Sequence, residues 1–165
     1  MPSSRQIGAF WALVGKIVRR LRPYDGKCKF ALEWYQDREL LDLVDGKESR
    51  PYDMERLIKM YEYLSNRGEL YFIEVKQGND FVPIGDVTLS MEDLPIVIGE
   101  KGYRGEGIGS KVIEALKLRA SALGYKQLGV REIYDYNIAS QKLFKKQGFD
   151  KVKKTDKGYS YRCIL

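Results

Sequence analysis

Arg104-Gly105-Glu106-Gly107-Ile108-Gly109 is the segment of this 165-residue chain whose residue types and spacing are best suited to chemistry. It lies between an apolar run, residues 94–98, and a stretch of helical period, so a strand turns through glycines directly into a helix. The first N–H groups of a helix have no intrahelical partner, and the macrodipole adds about half a positive charge there. Glycines let that backbone approach an anion with no Cβ in the way. The segment therefore reads as a cradle for phosphate. A Walker loop requires lysine and then serine or threonine after its last glycine, whereas Gly109 is followed by Ser110 and only then Lys111. A dinucleotide fingerprint spaces its glycines one and then two residues apart, whereas Gly105, Gly107 and Gly109 alternate singly.

The elements around the loop follow from periodicity. Ile108, Val112, Leu116, Ala120 and Leu123 form a helical stripe that Gly124 ends. Upstream, residues 70–76 and 82–89 read as strands joined by the turn Gln77-Gly78-Asn79-Asp80. Pro95 obliges the strand over residues 94–98 to start, bulge or border an edge near it. Downstream, residues 127–133 read as a strand and residues 137–147 as a helix capped by Asn137 and ended by Gly148. Residues 149–154 and 160–164 close the chain as strands around Asp156-Lys157-Gly158. Before the hairpin, residues 10–23 read as one long strand or two short ones, and residues 27–37 and 39–44 as helices. Asp53 reads as the N-cap of a further helix carrying Met54, Leu57, Ile58, Tyr61 and Leu64 up to Gly68.

Arg104, two residues, Gly107, one residue, Gly109 resembles the acetyl-CoA pyrophosphate motif of the GNAT superfamily of N-acetyltransferases. Asn137-Ile138-Ala139-Ser140 through Leu143, followed by Gly148-Phe149, resembles the second signature of that superfamily. The run from Trp34 through Asp45-Gly46, and Val82-Pro83-Ile84-Gly85-Asp86, are similar to the branch of aminoglycoside 6′-N-acetyltransferases and ribosomal-protein N-terminal acetyltransferases. The resemblance spans nearly the whole chain. It implies one GNAT acetyltransferase domain over residues 1–165, an α+β fold with a central mixed, mostly antiparallel sheet. That sheet would have about six to seven strands, splayed near the cofactor site and flanked by about four helices.

The resemblance also implies roles. The N–H groups of Arg104, Gly105, Glu106, Gly107, Ile108, Gly109 and Ser110 would hold the pyrophosphate of acetyl-CoA, and the main chain of Ile96, Val97 and Ile98 would pair with pantetheine. Asn137, Ser140 and Phe144 would lie beside the pantetheine arm. Arg104 reads as more positional than catalytic. Direct transfer in a ternary complex needs a neutral amine, a donor for the developing oxyanion and a proton for the departing thiolate. Ile98 N–H is the expected donor. An unbroken strand puts Glu92 on the cofactor side as the base, and a bulge at Pro95 would bring in Asp93 instead; Asp86, Glu100 and water are the other possibilities. Many aminoglycoside 6′-acetyltransferases have an aspartate where Pro95 stands, which places that acceptor in doubt. Where many relatives have a tyrosine acid this chain has Phe144, so Ser140, one turn earlier, is the first choice for the acid, followed by Tyr134, Tyr136 or water.

Composition bounds these readings. With 44% hydrophobic and 32% charged residues, the chain is of ordinary globular type and long enough for one core. It has no histidine, which excludes Ser-His-Asp and Cys-His mechanisms and the commonest transition-metal ligand, so no metal is expected. Transfer from a thioester suits that poverty, because coenzyme A brings its own leaving group. Cys28 and Cys163 form no disulfide framework, and the apolar residues 7–15 are too short to span a bilayer and read as a buried strand. A cytoplasmic protein without membrane contact, monomeric or homodimeric, is expected. Residues 33–55 hold eight carboxylates against three basic residues, a balance of −5 in a chain of net charge +6. That stretch reads as an acidic lip for a cationic amine, a small molecule or a protein N-terminus, and the basic remainder as the side for a polyanionic cofactor. A binding module that holds acetyl-CoA without turnover is the alternative. A nucleic-acid-binding role lacks both a motif and an aromatic platform.

Overall fold

The computed structural model describes residues 10–14 and 17–165. The segment read as one strand or two is a hairpin, β1 (Phe10–Val14) with β2 (Ile17–Pro23). The strand expected over residues 7–15 thus lies partly outside the described residues. Residues 27–37 differ from the expected helix. Two 3-10 turns, Lys29–Ala31 and Trp34–Gln36, stand there instead, each closed by its own short-range bonds, such as Ala31 N–H to Cys28 O at 2.9 Å and Asp37 N–H to Trp34 O at 3.3 Å. Asp37 is already extended and caps α1 (Arg38–Val44) through Glu39 N–H. The cap expected at Asp53 is present, its carboxylate accepting Arg56 N–H at 2.8 Å at the start of α2 (Met54–Arg67).

β3 (Glu69–Gln77), β4 (Asp80–Leu89) and β5 (Ile96–Ile98) continue from β2 in an antiparallel five-stranded sheet of order β1-β2-β3-β4-β5. The glycine loop then opens α3 (Ile108–Ala122), followed by β6 (Gln127–Tyr134), α4 (Ile138–Lys146), β7 (Asp150–Lys154) and β8 (Gly158–Ile164). The last three strands form a second sheet of order β6-β8-β7. Eight strands and four α-helices are present among the described residues, the strands divided between two antiparallel sheets where one central mixed sheet of about six to seven was expected, and residues 10–23 take the two-strand reading.

β3 shows why two layers cover this sheet. Successive side chains point to opposite faces. Tyr71, Ile73 and Val75 enter a core shared with α3, while Leu70 and Phe72 enter a second, aromatic core with Trp34, Tyr35, Tyr52 and Tyr61. Residues 70–73 are therefore apolar without a break.

Residues 91–93 join the two sheets by hydrogen bonds. Gly129 N–H donates to Met91 O at 2.9 Å and Arg131 N–H to Asp93 Oδ1 at 3.0 Å, so residues 91–93 run alongside β6 in the same direction. A Cβ on Gly129 would stand 3.0 Å from Glu92 O, so glycine permits this approach. Beyond it β5 pairs only with β4, and β6 only with β8. The strands diverge, and a cleft opens between them.

Candidate active site

The α3 N-terminus forms one end of the cleft. Its N-cap, Gly107, has φ 79° and no side chain to cap the helix, and Gly105 has φ 75°. The first intrahelical bond runs from Lys111 N–H to Gly107 O at 3.3 Å, so the N–H groups of Ile108, Gly109 and Ser110 have no helical partner. A Cβ on Gly105 or Gly107 would meet no protein atom within 4 Å, so the space above these donors is open. Gly109 instead faces inward, its Cβ position 3.1 Å from Leu143 Cδ2, which seats α3 on α4. Ser110 Oγ accepts Gln147 Nε2–H at 2.6 Å, which leaves its N–H for an anion. Lys142 and Lys146, one turn apart on α4, line the same end. Glu106 is exposed and does not line the cleft. Arg104 acts as a brace: its guanidinium donates to Ile98 O at 2.8 Å and Gly99 O at 3.1 Å and faces Asp37 at 3.8 Å.

β5 forms the wall. In an antiparallel ladder, residues alternate between those bonded to the partner strand and those facing away. Gly99 N–H reaches Ile84 O at 2.7 Å and Thr88 N–H reaches Pro95 O at 3.1 Å, which sets the phase. Val97 therefore directs its backbone groups to β4, and Ile96 and Ile98 turn theirs to the open edge. Of the three residues expected to pair with pantetheine, Ile96 turns both backbone groups to the cleft, Ile98 offers its N–H while Arg104 holds its carbonyl, and Val97 contributes packing alone.

The cavity has a volume of about 670 Å³, and α4 lines its far wall with Asn137, Ser140 and Phe144. Asn137 is 8% exposed; its Oδ1 caps Ser140 N–H at 3.1 Å and its Nδ2 reaches Leu43 O at 3.4 Å, joining α4 to α1. Phe144 packs edge to face on Phe149 with centroids 5.1 Å apart, so no hydroxyl stands at that point. Ser140 and Tyr134 remain as hydroxyls along the wall.

Among the carboxylates, Glu92 is displaced from its expected position. β5 begins only at Ile96, and Ser90 Oγ turns the preceding residues by accepting Asp93 N–H at 3.1 Å and donating to Asp93 O at 2.7 Å. The alternation that placed Glu92 inward is broken. Its side chain is 79% exposed and paired with Arg131 at 3.0 Å. Asp93 faces the cleft instead, and burial raises its carboxyl above the usual range, opposed by Arg131 N–H and the Arg131 charge. Glu100 is occupied by the Trp34 indole N–H at 2.8 Å, and Asp86 is sealed behind β5. Glu132 was not foreseen. An extra residue between Val130 and Ile133 bulges β6 against β8, and Glu132, inside that bulge, lines the cleft with Oε2 held by Lys157 N–H at 3.1 Å. Bulges re-aim side chains beside active sites.

Among the described residues no group of three or more His, Cys, Asp or Glu is placed to hold a metal, and no helix is long and apolar enough to cross a membrane. Cys28 and Cys163 are both buried and free.

A helix N-terminus open to an anion lies beside an unpaired strand edge at the point where two sheets diverge, an arrangement with room for a phosphate at one end and an extended chain along the other. Residues 30–149 match the model of the acetyltransferase (GNAT) family, and the chain belongs to that family. It is an acetyl-CoA-dependent acetyltransferase. Among solved structures, a domain from Methanocaldococcus jannaschii DSM 2661 superposes with a TM-score of 0.74 at 23% identity, covering 91% of this chain and 99% of that one. An uncharacterised protein from Bacillus halodurans gives 0.75 at 15% identity, covering 94% and 90%. The aminoglycoside acetyltransferase AAC(6′)-Ib in complex with coenzyme A gives 0.69 at 13% identity, covering 88% and 94%. No curated protein matches the chain in sequence.

Proposed function

We propose that the protein transfers acetyl from acetyl-CoA to a primary amine by direct attack in a ternary complex. One observation carries the reading: the unpartnered N–H groups at the start of α3, the outward backbone of Ile96 and Ile98, and the carboxylates Asp93 and Glu132 line one continuous cleft. The α3 donors and Lys142 and Lys146 would hold the pyrophosphate, and the β5 edge the pantetheine. Ile98 N–H would donate to the oxygen that gains charge as the amine attacks the thioester carbon. An alkylamine of pKa near ~10 is protonated at neutral pH, so its proton must be accepted before attack. Glu132 is the base in this scheme, with Asp93 also lining the cleft, and Ser140 passes its hydroxyl proton to the thiolate as the C–S bond breaks and is reprotonated by the proton that the attacking nitrogen sheds.

The test couples thiol release to a panel of amines, alongside calorimetric binding of acetyl-CoA. Glu132→Gln should lower kcat/KM by about 10²-fold, the usual range for a lost general base, with acetyl-CoA affinity unchanged. Full activity in that variant removes Glu132 as the base. Binding without thiol release from any amine would instead support a module that holds the cofactor without turnover.

A further inference from the structure

We propose, resting on the transfer reading, that the acceptor is a primary amine borne on an apolar body and carrying a single positive charge, not a polycation. The acidic run over residues 33–55 does not present its charge to the cleft. Asp37 caps α1 and faces Lys101 and Arg104, Asp42 pairs with Arg38 at 2.7 Å, and Asp45 accepts the Tyr52 hydroxyl at 2.6 Å with Arg56 at 3.6 Å. Asp53 caps α2, while Glu39 and Glu55 pair with Lys101 and Lys59. What this run turns toward the cavity is the apolar face of α1, Leu40, Leu43 and Val44. α1 is fixed there by the Tyr136 hydroxyl on Asp42 O and by Asn137 on Leu43 O. Leu43 is 37% exposed, a surface awaiting cover.

The carboxylates lining the cavity are Asp93 and Glu132, and residues 1–19 contain no Asp or Glu to add to them. Asp93 Oδ1 is engaged by Arg131 N–H and Glu132 Oε2 by Lys157 N–H, so the cavity offers one free oxygen on each of two carboxylates, too few for a polycation. The other charged side chains around the cavity are Arg104, Arg131, Lys142 and Lys146, all cationic. An acceptor bringing three or more ammonium groups would leave the rest unpaired against the leucine face of α1, which is costly to desolvate. An apolar body would cover α1 and gain from its burial.

The experiment measures kcat/KM by thiol release for hexylamine, 2-phenylethylamine and a tripeptide amide with N-terminal leucine, against spermidine and ribostamycin. At least about tenfold preference for the first group is expected, and the split between free amines and the peptide tells which source supplies the shared chemistry. Leu43→Asp, at an exposed position that does not carry the core, should lower kcat/KM for hexylamine about tenfold through KM, with acetyl-CoA affinity unchanged. A preference for spermidine or ribostamycin, or an unchanged ratio in Leu43→Asp, overturns the inference while leaving acetyl transfer intact. Acetyl-CoA binding without release of thiol from any amine overturns the transfer reading and this inference with it.

Discussion

Replacing Asp86 by asparagine isolates the effect of one buried charge on folding. Asp86 is 2% exposed on β4, opposite Val97 of β5, and Oδ2 accepts the hydroxyls of Tyr35 and Tyr61, each at 2.8 Å. Those tyrosines are the titratable groups acting on it. Burial is the largest influence and outweighs both hydrogen bonds, raising the carboxyl from 3.8 to about 6. The folded state thus holds its proton more tightly than the unfolded chain does. Stability from this group is fully present below pH 3.8 and is lost as pH rises through about 6. A shift of about two units corresponds to about 3 kcal/mol in all, of which about 2 kcal/mol falls between pH 4.5 and 7.5. At about 2–4 °C per kcal/mol for a domain of this size, that is about 4–8 °C in Tm. Asn Oδ1 can accept the same two hydroxyls, and any cost of its NH₂ group is independent of pH. Calorimetry of both proteins should show the Tm of Asp86→Asn gaining about 4–8 °C on wild type between pH 4.5 and 7.5. A difference between the two that stays constant with pH refutes the reasoning.

Gly107→Val should raise the Kd for acetyl-CoA at least about tenfold, because it puts a side chain over the α3 donors and forces a left-handed residue with a Cβ; unchanged calorimetric affinity would remove the cradle. In Gly99→Ala the new Cβ would lie 2.2 Å from the Trp34 ring, which is 4% exposed and tied to Glu100. A loss of about 1–3 kcal/mol in denaturant unfolding is expected, and a wild-type midpoint would show that the indole gives way freely. Ser140→Ala should lower kcat while sparing acetyl-CoA affinity, since its N–H stays capped by Asn137; single-turnover thiol release at the wild-type rate would pass the acid role to Tyr134 or water.

The glycine cradle and the caps at Asp53 and Asn137 were legible because each is set within about one helical turn of backbone: a glycine at positive φ, or a carboxylate or amide reaching two or three residues ahead. The α+β order was legible too, since the helical and strand periods alternate along the chain. Glu92 was misplaced because strand parity holds only along an unbroken strand, and Ser90 spends that parity in a turn. Glu132 left no local trace. Its orientation depends on a bulge whose register is set by β8, nearly thirty residues later. The acidic run misled for a related reason, since two of the cations nearest Asp37 and Glu39 come from the loop beyond β5, more than sixty residues away. Charge counted along a segment does not say which way that charge faces. In this cleft that distinction separates an acidic lip for a cationic amine from the apolar face of α1, and it makes Leu43 a sharper probe of the acceptor than any carboxylate of the run.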